Sequence, residues 1–133
     1  MKEVRADVLV QLIRQGIVPV MAPLTYDGAG GLLNTNADTI AGETAKALSE
    51  AFNVTLMYCF EKKGVLRDEN DDDSVIPVIT PDLFRQYVDE GVIQGGMIPK
   101  LENSFSAVEA GVIQVIITSA SAIDGKSGTI IKK

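Results

Sequence analysis

The chain has 133 residues, of which 46% are hydrophobic, and its 18 acidic and 12 basic side chains give a formal charge of −6. These values predict one folded domain and argue against a general nucleic-acid-binding surface, although a few local lysines could still bind a small anion. Histidine is absent, which excludes a Ser-His-Asp triad, a histidine general base and a histidine-based zinc site within this chain.

The first part of the chain predicts two helices with short strands between them. Residues 3–15 carry apolar side chains at helical spacing, which predicts an amphipathic helix. Residues 17–22 (IVPVMA) predict a short apolar strand, and residues 24–34 predict a hairpin with a glycine-rich turn. A second helix is expected over residues 36–52, with Asn36 as its N-cap.

The rest of the chain alternates strands and helices. Residues 60–80 predict irregular structure or a second hairpin around the acidic run. The other predicted elements are strands at 53–59, 112–118 and 128–132, a helix from Pro81 to near Gly91, and a helix that begins near Pro99 and ends at Gly111. This order predicts an α/β fold in one domain over residues 1–133, with a mostly parallel sheet flanked by helices and with β-hairpin insertions.

Cys59 is the only cysteine. It lies in an apolar run and cannot form an internal disulfide, so we expect a buried thiol and a reducing, cytoplasmic setting. The sequence shows no signal-peptide pattern and no apolar run long enough to span a bilayer, so we expect no membrane association.

Polar residues surround the start of the second helix. Asn34 and Asn36 precede it, and Asp38 lies in its first turn. Ligands of open α/β sheets bind where helices begin beyond strand ends. One interpretation is therefore a pocket for carboxylate or amide groups, and the other is ordinary helix capping.

A charged segment follows the third predicted strand. Glu61 could accept hydrogen bonds from ribose hydroxyls, and Lys62 and Lys63, next to Gly64, could contact phosphates. A solvated loop is the alternative. The acidic run at 68–73 (DENDDD) does not fit the EF-hand pattern, so we predict a solvated loop and no metal site there.

Lys100 occupies an unusual position. It follows Pro99 at the start of a helix, where the helix dipole favours an anion. Gly95 and Gly96 precede it and would let a ligand approach the backbone closely. A phosphate shared by Lys100 and the helix amides would resolve the conflict, whereas a side chain turned into solvent is the alternative. The chain has no Walker A loop, and no G-x-G-x-x-G follows a strand.

Three motifs in this order, LLNTNADTIAG, EKKGVLRD and GVIQGGMIPKLENSFSAVEAGV, resemble the C-terminal, ATP-binding half of the N-acetylglutamate kinases, a branch of the amino acid kinase family. The resemblance runs from about Gly16 to the last residues. It implies the three-layer α/β fold of that family. It also implies phosphoryl transfer from Mg-ATP to the γ-carboxylate of N-acetyl-L-glutamate, in arginine biosynthesis, with ATP and Mg²⁺ as cofactors.

The resemblance also implies roles for individual residues. Asn34 is expected to bind the acylated amino acid, Asp38 to orient catalytic lysines, and Lys100 to stabilise the transferred phosphoryl group. Glu61 stands where the family more often has aspartate. The expected nucleotide-binding residues are Glu61, Lys62, Lys63, Gly64, Val65, Leu66, Val92, Ile93 and Gln94.

The chain also departs from the family pattern. A lysine-glycine-glycine strand end, a second glycine pair and a substrate-binding arginine have no counterpart in it. We therefore expect the isolated chain to be inactive, as a truncated product, a fragment or one half of a split enzyme. The alternatives are a non-catalytic nucleotide-binding module that needs an N-terminal half, and a related kinase acting on another acylated glutamate. An unpaired strand edge predicts a homo-oligomer or aggregation.

Overall fold

A computed structural model describes residues 3–133 of the chain. Within this range the elements, in chain order, are α1 (Ala6–Arg14), β1 (Leu24–Tyr26), β2 (Leu32–Asn34), α2 (Ala37–Leu48), β3 (Thr55–Phe60), β4 (Val78–Ile79), α3 (Pro81–Asp89), α4 (Met97–Glu109), β5 (Gln114–Ser119) and β6 (Thr129–Ile131). None of these helices is long and apolar enough to cross a bilayer.

Four strands form the main sheet, in the order β3-β5-β6-β4. The β3–β5 and β4–β6 pairs are parallel, and the central β5–β6 pair is antiparallel. Helix α2 packs on β3, and α4 packs on β5 and β6. Side chains from both layers are fully buried between them, among them Ile79, Leu101, Val115, Ile117 and Ile131. The predicted α/β class, with a parallel-rich sheet flanked by helices, is confirmed.

Local sequence signals set two of the helix starts. The Asn36 side-chain oxygen accepts a hydrogen bond from the Thr39 amide at 3.1 Å, which caps α2 as predicted. The Thr80 hydroxyl accepts one from the Leu83 amide at 3.4 Å, with Pro81 as the first residue of α3.

The predicted hairpin is present as the antiparallel pair β1–β2. The Asp27 carboxylate accepts hydrogen bonds from the amides of Ala29 (2.7 Å) and Gly31 (2.9 Å) across its turn. These bonds favour the ionised form and lower the pKa of Asp27. The second hairpin considered for 60–80 is reduced to one antiparallel bridge, Leu66 to Val75.

The strand predicted over residues 17–22 is not present. This segment is non-regular, and Val18 and Val20 are 83% and 95% exposed. A strand depends on ladder hydrogen bonds to a neighbour, and no strand of residues 3–133 pairs with this segment. Pro19 also has no amide hydrogen to donate.

The expectation of a buried Cys59 is wrong. Successive side chains of a strand point to opposite faces, and on β3 Leu56 and Tyr58 are buried whereas Cys59 is exposed. Because β3 is the edge strand of the sheet, no further strand covers this position. The apolar character of the run predicts the burial of Leu56 and Tyr58 correctly and that of the Cys59 thiol incorrectly.

Candidate functional site

Lys100 and Asp38 form an ion pair between two helix starts. Lys100 lies in the first turns of α4, and its Nζ is 3.1 Å from Oδ2 of Asp38 in the first turn of α2. The N-cap of α4 is Gly96, so the helix has no side-chain cap. The Lys100 side chain is only 22% exposed. Its ammonium is therefore held beside the positive end of α4 and does not extend freely into solvent, the alternative left open by the sequence.

Two aromatic rings of β3 complete the surroundings of this ammonium. Nζ of Lys100 is 5.3 Å from the ring centroid of Tyr58 and 5.4 Å from that of Phe60. The Tyr58 hydroxyl donates a hydrogen bond to the main-chain oxygen of Asp38 at 3.2 Å. Burial, and then the carboxylates of Asp38 and Glu43, raise the pKa of Tyr58 to about 12. The phenol is thus protonated and able to donate at neutral pH.

A cavity of about 290 Å³ lies next to this group, and Phe60 contributes to both. This volume is at the lower end of the range for small-molecule pockets. Six of the nine predicted nucleotide-binding residues line it. The full lining is Phe60, Lys62, Gly64, Val65, Leu66, Glu69, Asn70, Val92, Gln94 and Met97.

The other predicted site residues lie elsewhere. Glu61 and Lys63 are exposed and do not line the cavity, and the Ile93 side chain is buried in the core. Asn34 ends β2 and lines a different cavity of about 970 Å³, with Arg5 among its neighbours. The structure therefore pairs Asp38 with Lys100 and brings most of the predicted nucleotide-binding residues to one cavity, but it places Asn34 with neither group.

The acidic run 68–73 folds back onto the two lysines of the charged segment. Lys62 pairs with Asp72 at 3.0 Å and Lys63 with Asp73 at 3.1 Å. All four side chains are largely exposed, so these pairs contribute little to stability. Carboxylates of the same loop are thus the partners of these two ammonium groups.

A buried hydroxyl anchors the loop that lines the cavity. Thr129 is fully buried at the start of β6. Its hydroxyl accepts a hydrogen bond from the Val65 amide (2.9 Å) and donates one to the Ile76 main-chain oxygen (2.6 Å). Sequence reasoning missed Thr129, because no local signal links it to a segment more than sixty residues earlier.

Sequence reasoning also missed Tyr58 and Phe60. The available signal was their spacing: residues i and i+2 of one strand share a face, and this strand leads directly into the charged segment. The sequence-based prediction places Tyr58 in the strand at 53–59 and Phe60 in the irregular segment at 60–80, so it does not bring the two rings together.

The chemistry of the site suits a phosphate-bearing ligand. Lys62 lines the cavity, and the Lys100 ammonium is 5.4 Å from the ring centroid of Phe60, which also lines it. Helix α4 begins at the cavity with Met97 and has no side-chain cap. Ammonium groups bind phosphate. The first amides of α4 already donate to main-chain oxygens, Met97 to Gln94 and Ile98 to Gly95 at 3.2 Å each, and Pro99 has no amide hydrogen. Within residues 3–133 no three His, Cys, Asp or Glu side chains are grouped to hold a metal ion.

Comparison with known proteins confirms the resemblance seen in the three motifs. The model of the amino acid kinase family matches residues 1–119. The chain is 75% identical over 132 residues to the acetylglutamate kinase of Phocaeicola vulgatus, covering 99% of this chain and 51% of that protein. The chain thus spans about half the length of the curated relatives it matches.

Solved structures show the same architecture. A Streptococcus mutans protein matches with a TM-score of 0.78 and 32% identity, over 98% of this chain and 49% of its own. The carbamate kinase of Giardia lamblia bound to AMP-PNP matches with a TM-score of 0.68 and 20% identity, over 100% of this chain and 50% of its own. At that identity the second match supports the fold alone.

Proposed function

The chain belongs to the amino acid kinase family, and on this premise we propose that it is the C-terminal, nucleotide-binding half of an acetylglutamate kinase. The reaction is transfer of a phosphoryl group from Mg-ATP to the γ-carboxylate of N-acetyl-L-glutamate, in the cytoplasm. The observation that carries the proposal is the Lys100–Asp38 pair at the uncapped start of α4, beside a cavity lined by six expected nucleotide residues. The 75% identity to a curated acetylglutamate kinase supports the substrate assignment.

The residues of this chain supply positioning and charge. Phosphoryl transfer depends mainly on in-line placement and on neutralising the charge of the transferred group, so it requires no histidine. Lys100 would place its ammonium on a phosphoryl oxygen, and the dipole of α4 would add partial positive charge at the same end of the helix. Asp38 would help to orient the Lys100 ammonium, with which it forms an ion pair at 3.1 Å. In the transfer, the bond from the γ-phosphorus to ADP breaks as a bond to the substrate carboxylate oxygen forms.

The cavity residues would hold the nucleotide. Lys62 would exchange its exposed carboxylate partner Asp72 for a phosphate, an exchange with a small cost because exposed ion pairs are weak. Leu66 and Val92 provide apolar surface on the cavity wall. Mg²⁺ would accompany the phosphates and neutralise part of their charge.

A calorimetric titration of Mg-ADP into the purified chain tests this proposal. We expect binding in the wild type and a Kd raised by about 10- to 100-fold in Lys100→Ala, since a hydrogen bond to a charged group contributes about 1.5–3 kcal/mol. Lys46→Ala is the matched control. Lys46 lies in the last turn of α2, forms an ion pair with Glu43 and does not line the cavity. No binding in the wild type, or equal weakening in the two variants, would contradict the proposal.

A second candidate is a nucleotide-binding module that is active only with another polypeptide half. Two observations favour it: the chain spans half the length of its relatives, and one part of it exposes many large apolar side chains. These are Ile17, Val18, Val20, Met21, Leu24, Tyr26, Leu32 and Leu33. Exposed apolar surface of this extent is typical of interfaces.

Complementation separates this candidate from the first. The half of the Phocaeicola vulgatus enzyme that this chain does not match is mixed with the chain, and phosphorylation of N-acetyl-L-glutamate and of other acylated glutamates is measured. Activity only in the mixture supports the two-half candidate, and the preferred acyl group identifies the substrate. Activity of the chain alone rules out the need for a partner half. Light scattering of the chain alone tests the predicted oligomer, which a monodisperse monomer would contradict.

A further inference from the structure

We infer that Tyr58 and Phe60 are positioning residues for Lys100, and that their two rings hold its ammonium in the direction of the bound phosphate. This inference rests on the proposed role of Lys100 as a phosphate ligand. It adds to that role two residues that neither touch the reacting atoms in the proposal nor belong to the three motifs.

The contact geometry is that of cation–π interactions. Both ring centroids lie within about 6 Å of the ammonium, the range in which such attraction is significant. Tyr58 and Phe60 are two residues apart on β3, so the pleat of the strand presents both side chains on the same face. Both rings therefore face the Lys100 ammonium from the same face of β3.

Asp38 alone is a weak restraint. Its side chain is 45% exposed, and ion pairs of this kind contribute about 0–1 kcal/mol. Holding a lysine side chain in one conformation costs up to about 2 kcal/mol of rotamer entropy, and the dipole of α4 opposes a cation at its start. A further attraction is needed to keep the ammonium at this position, and the rings of Tyr58 and Phe60 provide it.

Aromatic rings hold the ammonium without neutralising it. A second carboxylate would compete with phosphate for the same N–H donors and would cancel the charge that phosphate binding uses. The ring faces attract the cation through their quadrupole and leave both the donors and the net charge available. This property suits a lysine that must be ordered before the phosphate arrives.

Tyr58 also contacts Asp38, the ion-pair partner of Lys100. Its hydroxyl donates to the Asp38 main-chain oxygen, so the ring is fixed relative to the start of α2. A Cβ at Gly42 would lie 3.2 Å from that hydroxyl oxygen, which leaves little room for a larger residue there. Phe60, in turn, links Lys100 to the cavity wall.

Proton NMR of the ligand-free chain tests the contact in solution. The ε-methylene signal of Lys100, identified by its loss in Lys100→Arg, should be shifted upfield of the other lysines by the two ring currents. We expect the shift to shrink in Phe60→Leu, which keeps an apolar side chain, and to persist in Tyr58→Phe and in Asp38→Asn. A Lys100 signal at the position of solvated lysines, or a shift lost in Asp38→Asn but unchanged in Phe60→Leu, would overturn the inference.

Mg-ADP affinity tests the consequence. Phe60→Leu should raise Kd by about 2- to 5-fold in the wild-type background and should have no effect in the Lys100→Ala background. Equal weakening in both backgrounds would mean that Phe60 contacts the nucleotide independently, and the positioning role would be wrong. A wild-type chain that binds no Mg-ADP would remove the proposed function, and the NMR result would then decide the positioning of Lys100 by itself.

Discussion

Replacing Gly64 by alanine tests how the cavity loop is built. An added Cβ would lie 2.8 Å from the Thr129 hydroxyl oxygen, 2.8 Å from Cγ1 of Val75 and 3.1 Å from the Thr129 amide nitrogen. Thr129 is fully buried, and its hydroxyl holds Val65 and Ile76 through two hydrogen bonds. The methyl group can therefore be accommodated only if this hydroxyl moves.

We expect Gly64→Ala to lower the free energy of unfolding by about 2–4 kcal/mol. Forcing a methyl group into a packed site costs about 1–3 kcal/mol, and leaving a buried amide or hydroxyl without its partner costs about 1–3 kcal/mol. The two terms overlap, because the same displacement of Thr129 causes both. Urea unfolding followed by circular dichroism, at one fixed protein concentration, measures the change.

Two further variants show whether the steric argument is right. A Cβ at Gly96 would meet no atom within 4 Å, and its φ of −65° is helical, so Gly96→Ala should be neutral or stabilising by about 0.4–1 kcal/mol. In Thr129→Ala the obstructing hydroxyl is absent, so adding Gly64→Ala there should cost less than in the wild type. A Gly64→Ala variant as stable as the wild type would refute the reasoning.

Three other predictions concern stability. Asn36→Ala should lower the free energy of unfolding by about 1 kcal/mol through loss of the α2 cap, and Asn36→Asp should not, as urea unfolding would show. The pKa of Tyr58 is raised from 10.0 to about 12 in the folded chain. Its contribution to the free energy of unfolding is therefore complete below pH 10 and is lost as the pH rises to about 12. Tyr58→Phe should flatten this alkaline decline in stability, measured by thermal melts. Asp124 has its pKa lowered from 3.8 to about 2 by hydrogen bonds from Ser127 and Lys126, so its contribution is present above pH 3.8 and is lost as the pH falls towards about 2. Asp124→Asn can still accept the Lys126 and Ser127 amide bonds at Oδ1 but not the Ser127 hydroxyl bond made at Oδ2. It should flatten the acid limb of the same melts, and an unchanged limb would contradict this.

Local chemistry predicted the elements that local contacts make. The Asn36 cap, the Pro81 start of α3 and the glycine-rich hairpin turn all depend on groups within a few residues of each other. These features are therefore readable from short stretches of sequence, and each is present in the structure.

The features that sequence reasoning missed depend on distant partners. Residues 17–22 have strand-like composition, but no strand of residues 3–133 pairs with them. Cys59 is exposed because β3 lies at the sheet edge, a fact of strand order. Thr129 contacts Val65 only because β6 returns beside the cavity loop. In each case the outcome depends on the order of the strands in the sheet, which cannot be read from a single stretch of sequence.

The candidate site also combines features that local sequence predicts with features that depend on distant contacts. Lys100 was conspicuous from the sequence because a cation at a helix start requires an explanation. Its partner Asp38 followed from the family resemblance, and the structure places the two 3.1 Å apart. Tyr58 and Phe60 are not predicted as site residues, because the strand predicted at 53–59 ends before Phe60. The structure extends β3 to Phe60 and places both rings near the ammonium.

The central claim is that Mg-ADP binds in the cavity between the loop at 62–66 and the start of α4. An amide ¹H–¹⁵N NMR titration of the chain with Mg-ADP tests it most directly. We predict concentration-dependent shifts concentrated at Gly64, Leu66, Gln94 and Met97, with the amides of α1 unchanged. Shifts confined to α1 or to the β1–β2 hairpin, or no shifts at saturating nucleotide, would show that Mg-ADP does not bind in this cavity.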